Sequence, residues 1–366
     1  MARLRIILFG VLGVLTACQK VVEPPVSVVV EKEYRAPSPQ PPGLTPAQQA
    51  CKQRLVAQIS ADRATHRLTL RNGKTVDGRL IAESSRAIRL QEPFGYSGSI
   101  TASYDRNAVR RVETLPAGEY EVTDADARFS EEFTGFHFIK APPYSIVTDE
   151  SYSEVEKIIR ILGELRGQFE QHFASVINKP VDAPPVEVVF FAHENAFREC
   201  ARHAAPGLVN SAGFFSHRDN RLVLLNQLGT TQYSDFRSKL DARERDHRVA
   251  SEPRAQQHLA AWRSQVALEA RSLNERLIRH EGAHQLFQSY RIHSDSGLEP
   301  TWLTEGLAQY CEPSQIGRRH DALVKRLATF RQAGALIPLR DLLNHRDESG
   351  FFSLGDNNVE TAYAES

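Results

Sequence analysis

Two histidines four residues apart, with a glutamate directly after the first, place the tightest constraint on how this chain folds. They lie in the stretch LIRHEGAHQLF, residues 277–287. The spacing places His280 and His284 on one face of a helix, about 40° apart, where both imidazoles reach a single ion. Apolar residues occur on two sides of this helix, which predicts that it is buried. The histidines are therefore expected in a cleft rather than in open water.

The types and spacing of these residues indicate a catalytic metal site. Glu281 is rotated by about 100° from His280, so its carboxylate lies beside the ion, where a base takes a proton from metal-bound water. Zinc suits two imidazoles and lowers the pKa of bound water toward about 7. A catalytic zinc also needs a third protein ligand. Glu305, in EPTWLTEGLAQY on a second predicted helix, is the downstream candidate.

The two stretches HEGAHQL and WLTEGLAQY together resemble the gluzincin metallopeptidases of the peptidase-MA-like superfamily. More narrowly, the chain resembles bacterial lipoproteins that carry a peptidase-MA-like domain, over roughly residues 137–366. The resemblance implies an α+β fold in which a zincin-like metallopeptidase domain follows a small N-terminal β-barrel. It also implies that His280, His284 and Glu305 bind zinc and that Glu281 is the general base and acid.

A peptidase also needs a hydrogen-bond donor for the oxyanion that forms on the scissile carbonyl. Gluzincins use a tyrosine or histidine downstream of the third ligand, and the resemblance places Tyr363, in TAYAES, in that role. The spacing of Tyr310 from Glu305 suits helix packing instead. His217, in a predicted hairpin turn, and His293, past the active helix, are weaker metal ligands, because each position is typical of a surface histidine.

Two further expectations come from the resemblance to gluzincins. In that family an edge strand binds the substrate backbone by strand addition, and part of residues 212–226 is the candidate here. An ordinary core hairpin is the alternative for the same residues. In the lipoprotein relatives a YAxSW segment opens a further apolar helix, whereas this sequence ends at Ser366. We therefore expect a peptidase domain that is truncated at its C-terminus.

The N-terminus has the pattern of an export signal, residues 1–18. Two arginines precede a twelve-residue apolar run, which is too short to span a bilayer. The run ends in LTAC, which resembles the bacterial lipobox and implies lipid on Cys18. Gln19 favours the outer membrane over the inner one. A plain signal peptide with a chance cysteine is the alternative.

Residues 19–50 are rich in proline and are expected to form an extended tether.

The rest of the chain divides into two predicted domains. Residues 51–116 alternate apolar and polar positions around an Asn72-Gly73 turn and resemble small SH3-like or Sm-like barrels. A solvated spacer and a basic face toward anionic lipid are both open roles for this segment. Residues 137–366 are predicted to mix helices and strands. They include a helix in SYSEVEKIIRILGELRGQFEQHF, a strand in VEVVFF, a hairpin in GFFSHRDNRLVLLN and a charged helical run over 236–275 broken at Pro253.

Composition narrows the class of protein. The formal net charge is zero, which argues against a dedicated nucleic-acid binder. Besides Cys18 there are three cysteines, so at most one internal disulfide forms in an exported chain. Cys51, Cys200 and Cys311 leave the pairing open, and the sequence carries no signal of oligomeric state.

These observations give three functional hypotheses. The first is a zinc-dependent peptidase that acts on peptides or proteins and is held to the bacterial cell envelope by a lipid anchor. The absence of a GxMEN-type exopeptidase motif favours an endopeptidase. The second is a catalytically inactive surface lipoprotein that acts as a binding or scaffold module. The third, nucleic-acid binding through the small barrel, is disfavoured by export and by the neutral charge.

Overall fold

The computed structural model describes residues 43–62, 64–94, 96, 98–116, 121–177, 185–245, 252–293 and 300–344. The predicted signal peptide, its Cys18, most of the tether and Tyr363 lie outside the described residues. The described residues divide into two compact units. The first unit ends at Val147, and the second begins at Thr148.

The first described element of the first unit is a helix that the sequence pattern did not predict. Helix α1 buries Cys51 and Leu55, which lie four residues apart. Five antiparallel strands follow and form one sheet in the order β4-β3-β2-β1-β5. The predicted Asn72-Gly73 turn is confirmed between β1 and β2, where Gly73 has a φ of 86°. The elements are α1 (Pro46–Asp62), β1 (His66–Leu70), β2 (Thr75–Glu83), β3 (Ala87–Phe94), β4 (Gly98–Asp105), β5 (Val109–Thr114), α2 (Asp124–Glu132), β6 (His137–Ala141) and β7 (Tyr144–Thr148).

The prediction of a small closed β-barrel was wrong, because the first sheet is open. Closure requires the two end strands to pair. In the part of the chain that the structure describes, β4 pairs with β3, β5 pairs with β1, and no ladder joins β4 to β5. The pairing of strand β2 explains why this sheet is open. Its first half, to Gly78, pairs with β1 and its second half, from Arg79, pairs with β3 across a register shift, so the sheet bends without closing.

The second unit mixes helices and strands, as the sequence predicted. Its strands β8, β10 and β9 lie side by side in the second sheet, with β10 parallel to β8 and antiparallel to the edge strand β9. The predicted helix, strand, hairpin and break at Pro253 are all confirmed. The elements are α3 (Tyr152–His172), β8 (Val186–Phe191), α4 (Glu194–Ala204), β9 (Gly213–Ser216), β10 (Arg221–Leu225), α5 (Thr231–Glu244), α6 (Pro253–Ser289), α7 (Thr301–Cys311), α8 (Asp321–Ala333) and α9 (Leu339–Asn344).

Helix α6 is the organising element of the second unit. It is 37 residues long, and its C-terminal part is buried against α3 and α7. Gly282 makes the approach of α3 possible. A Cβ atom there would lie 2.9 Å from Leu165 Cδ2 and 3.0 Å from Leu162 Cδ2. Although α6 is long, neither it nor any other described helix combines the length and apolar character needed to cross a membrane.

A buried polar network fixes α6 against the end of β10. The Asn274 side chain on α6 donates to Asn226 Oδ1 (2.8 Å) and accepts from the Gln227 backbone N–H (2.8 Å). Asn226 in turn donates to the Glu150 carboxylate (2.6 Å). Buried amides that have partners on both sides lock a single arrangement, because leaving one unsatisfied costs about 1–3 kcal/mol. The position of α6 along the sheet is therefore fixed at Asn274.

The first unit contains a buried ion pair. Lys140 Nζ lies 2.7 Å from Asp126 Oδ2, and the two side chains are 5% and 1% exposed. Ser145 also donates to Asp126. Burial raises the pKa of Asp126, but the hydrogen bonds from Lys140 and Ser145 and the charge of Lys140 lower it by more, so the net shift is downward. The ionised carboxylate is thus the form that the fold stabilises.

Replacing Asp126 by Asn leaves Lys140 buried without a counter-charge, so we expect a loss of about 3–5 kcal/mol in the free energy of unfolding at neutral pH. Because the folded-state pKa lies below the unfolded value of about 3.9, the native contribution is complete above that value and is lost as the pH falls through the folded pKa. Urea unfolding followed by circular dichroism at several pH values measures both effects.

The exposed pair of Arg111 and Glu113 provides the control, since the two side chains are 69% and 36% exposed. Glu113→Gln should change the free energy of unfolding by less than about 1 kcal/mol. An equally small effect of Asp126→Asn would contradict the role given to the buried pair.

Candidate metal centre

The structure brings together the three residues that the sequence predicted as metal ligands. His280 and His284 come from α6 and Glu305 from α7, and all three are buried. Their donor atoms lie within 4.8 Å of one another. His280 Nε2 is 3.2 Å from Glu305 Oε2 and 3.2 Å from His284 Nε2, and His284 Nε2 is 3.6 Å from Glu305 Oε1. This group could bind a metal ion.

The chemistry of the donor set fits a cation. Two ring nitrogens that face each other at 3.2 Å repel unless a proton or an ion lies between their lone pairs. Burial would lower the pKa of His280, but hydrogen bonds to Glu305 and Glu312 raise it well above the ordinary value. Burial would raise the pKa of Glu305, but His284 and His280 lower it. The site therefore requires positive charge, from a proton on His280 or from a bound ion.

Glu281 lies beside this cluster and outside its set of three donors. Its side chain is buried, and burial raises the pKa of Glu281, although the charges of His280 and His284 oppose the shift. The carboxylate also accepts a hydrogen bond from the backbone of Phe215 in the edge strand β9. Glu281 thus connects the cluster to the edge of the second sheet.

A further shell of hydrogen bonds, which sequence reasoning missed, holds His280. Its Nδ1 atom lies 2.9 Å from Glu312 Oε1, and Glu312 Oε2 lies 2.8 Å from His320 Nε2. Burial would raise the pKa of Glu312, but the bonds to His280 and His320 lower it to about 2. Metal-binding histidines commonly direct their second nitrogen to a carboxylate in this way. The available signal was a glutamate directly after the helix that carries Glu305.

Arg279, also missed, connects the helices that carry the ligands. It is 1% exposed, and its guanidinium donates to the Cys311 carbonyl at the end of α7 (2.9 Å) and to Gln168 Oε1 on α3 (3.0 Å). Gln168 Oε1 also accepts from the Ile316 backbone N–H (3.1 Å). Desolvation lowers the pKa of Arg279. An arginine inside an apolar helical run is the sequence signal that could have identified this contact.

The remaining sequence candidates lie elsewhere or outside the described residues. His217 contacts Gln288 at the hairpin turn. His293, which was predicted to be a surface histidine, is buried and packs against the Phe287 ring, with centroids 5.0 Å apart. Tyr310 is 41% exposed, and its hydroxyl lies 3.0 Å from His172 Nε2 on α3. The described cysteines are thiols: Cys51, Cys200 and Cys311.

We expect Arg279→Met to destabilise the protein by about 1–3 kcal/mol, because the buried Cys311 carbonyl loses its side-chain donor. Urea unfolding measures the change. Arg271→Met is the matched control, since Arg271 lies on the same helix and is exposed. Its effect should stay within about 0.5 kcal/mol. Equal effects of the two substitutions would show that Arg279 does not hold the end of α7.

Comparisons with known proteins identify one similarity. A family model described as "Protein of unknown function (DUF1570)" matches residues 276–362. This range includes the three clustered residues and also Glu312 and His320. No curated protein and no solved structure matches the chain.

Proposed function

We propose that this protein is a zinc-dependent peptidase of the gluzincin kind, with a zincin-like fold in its second unit. The observation that carries the proposal is the buried group of His280, His284 and Glu305 with Glu281 beside it. Two imidazoles and one carboxylate form a ligand set that suits catalytic zinc and leaves a coordination position open. The resemblance of HEGAHQL and WLTEGLAQY to gluzincins supports the same reading.

The residues divide the chemistry between them. When bound, zinc supplies a Lewis acid that polarises a scissile carbonyl and lowers the pKa of water. Glu281 takes a proton from the attacking water and transfers it to the leaving amine nitrogen. Its raised pKa suits this exchange, because a base near the operating pH both accepts and returns a proton. Tyr363 remains the proposed donor to the oxyanion.

The edge strand β9 is the proposed binding site for an extended peptide. It lies at the end of the second sheet, and the Glu281 carboxylate contacts its backbone at Phe215. A substrate strand added along β9 would pass close to Glu281 and to the cluster, with main-chain hydrogen bonds supplying affinity. This arrangement favours cleavage within a chain, so we propose an endopeptidase. Attachment to the bacterial envelope through Cys18 would restrict it to substrates near the membrane.

Metal analysis tests the ligand set. The purified native protein should contain about one zinc per chain, because the three donors complete a catalytic site. Glu305→Ala should lose most of it. His258→Ala is the control, since His258 is an exposed histidine on the same helix as His280 and His284. Zinc content that is unchanged in Glu305→Ala would contradict the proposed ligand set.

Activity is tested with Glu281→Gln on denatured casein and on a quenched fluorescent peptide library. The variant should retain zinc and lose about 10²–10⁴-fold in the rate of hydrolysis, because the amide cannot accept the proton. A chelator should abolish activity of the native protein and added zinc should restore it. A zinc-loaded native protein without hydrolytic activity would instead favour the binding or scaffold role.

A further inference from the structure

Three hydrogen bonds in series run from the metal cluster to the start of helix α8. The Leu323 backbone N–H donates to His320 Nδ1 (3.3 Å), and His320 Nε2 and His280 Nδ1 lie 2.8 Å and 2.9 Å from the two oxygens of Glu312. A backbone N–H only donates, so His320 Nδ1 accepts and the ring proton is on Nε2. Glu312 accepts at both oxygens. A proton therefore stays on His280 Nδ1, which leaves Nε2 to the metal cluster.

Helix α8 has little packing of its own. Among its side chains whose burial is described, none is buried, and Val324 is 38% exposed. A helix of 13 residues is marginal in water without tertiary contacts. Its first turn is capped by His320, whose side chain is only 14% exposed and is bonded to Glu312. The contact between His320 and Glu312 is therefore an important link between α8 and the rest of the unit.

We propose that Glu312 and His320 are positioning residues that couple metal binding to the formation of helix α8. The inference rests on the metal-binding part of the proposed function. It assigns to residues 312–323 a regulatory role at the metal centre, in which the state of α8 sets the affinity for the ion.

The coupling follows from the series of hydrogen bonds, because the position of His280 at one end and that of His320 at the other both depend on Glu312. His280 Nε2 would be the atom that holds the ion, and a ring restrained in this way would orient Glu312 through Nδ1. An oriented Glu312 holds His320 in the position that caps α8. The same steps apply in reverse, since a formed α8 orients His320 and thereby His280. By linkage, the factor by which metal binding favours α8 equals the factor by which α8 favours metal binding.

The first test is Glu312→Gln in the full chain, with Zn²⁺ affinity measured by competition with a chromophoric chelator. A Gln side chain has one acceptor oxygen and cannot accept from both histidines. The affinity should fall by about 10–100-fold, as for other supporting contacts to metal ligands. Glu164→Gln, the same chemical change at an exposed position on α3, should leave the affinity unchanged.

The second test changes α8 at Ala328, an exposed position eight residues after His320. Ala328→Pro breaks the helix interior, whereas Ala328→Gln is compatible with it. The proline variant should bind Zn²⁺ about 5–150-fold more weakly, within the usual range for coupled sites, and the glutamine variant should bind as the native protein does. Adding Zn²⁺ to the native protein should also slow amide hydrogen exchange in residues 321–333.

The outcomes distinguish a failure of the proposed coupling from a failure of the proposed function. If the native protein binds Zn²⁺ and Ala328→Pro binds it equally well, the coupling is overturned while the proposed function stands, whatever Glu312→Gln does. If the native protein binds no Zn²⁺, both are overturned. The Ala328 pair decides the question even if Glu312→Gln fails to fold, because both Ala328 variants keep the side chains of Glu312 and His320.

Discussion

Two carboxylates that are largely shielded from water beside one histidine constrain how the helices of the second unit pack. Glu305 and Glu312 approach the two ring nitrogens of His280, and their side chains are only 10% and 12% exposed, so water screens their charges weakly. Uncompensated ions in such a place cost several kcal/mol each. A positive charge between them, from a proton on His280 or from a bound ion, is therefore needed for the fold as well as for the proposed chemistry. The helices α6 and α7 meet at that charge, and the Arg279 side chain on α6 also donates to the Cys311 carbonyl at the end of α7.

The long helix α6 turns this local requirement into a property of the fold. Its Asn274 fixes the helix to the end of β10, and its buried face packs on α3 and α7. Glu281 is on the same rigid element, with its carboxylate in contact with the edge strand β9. Groups on a packed helix keep their spacing better than groups on a loop. The donors, the proposed base and the proposed peptide-binding edge are thus held by one element.

The sequence predicted what local geometry dictates and missed what depends on tertiary contacts. A spacing of four fixes His280 and His284 on one face of any helix, so the pair could be predicted without knowledge of the fold. Glu312 acquires its role only when the end of α7 meets α6, and no periodicity marks that meeting. Helix α1 lacks an apolar stripe, so its pattern gave no signal. The barrel prediction failed because alternation identifies strands but does not show which half of β2 pairs with which neighbour.

The two residues inside the HEGAH motif are under a packing constraint of their own. Gly282 faces α3 so closely that a Cβ atom would force Leu162 and Leu165 to move, and Ala283 is fully buried in the core shared by α3, α6 and α7. A motif written with two arbitrary residues between Glu281 and His284 therefore describes this chain too loosely. In chains that keep this helix packing, those two positions should be restricted to the smallest residues. That restriction would separate true relatives from chance occurrences of the same five-residue string.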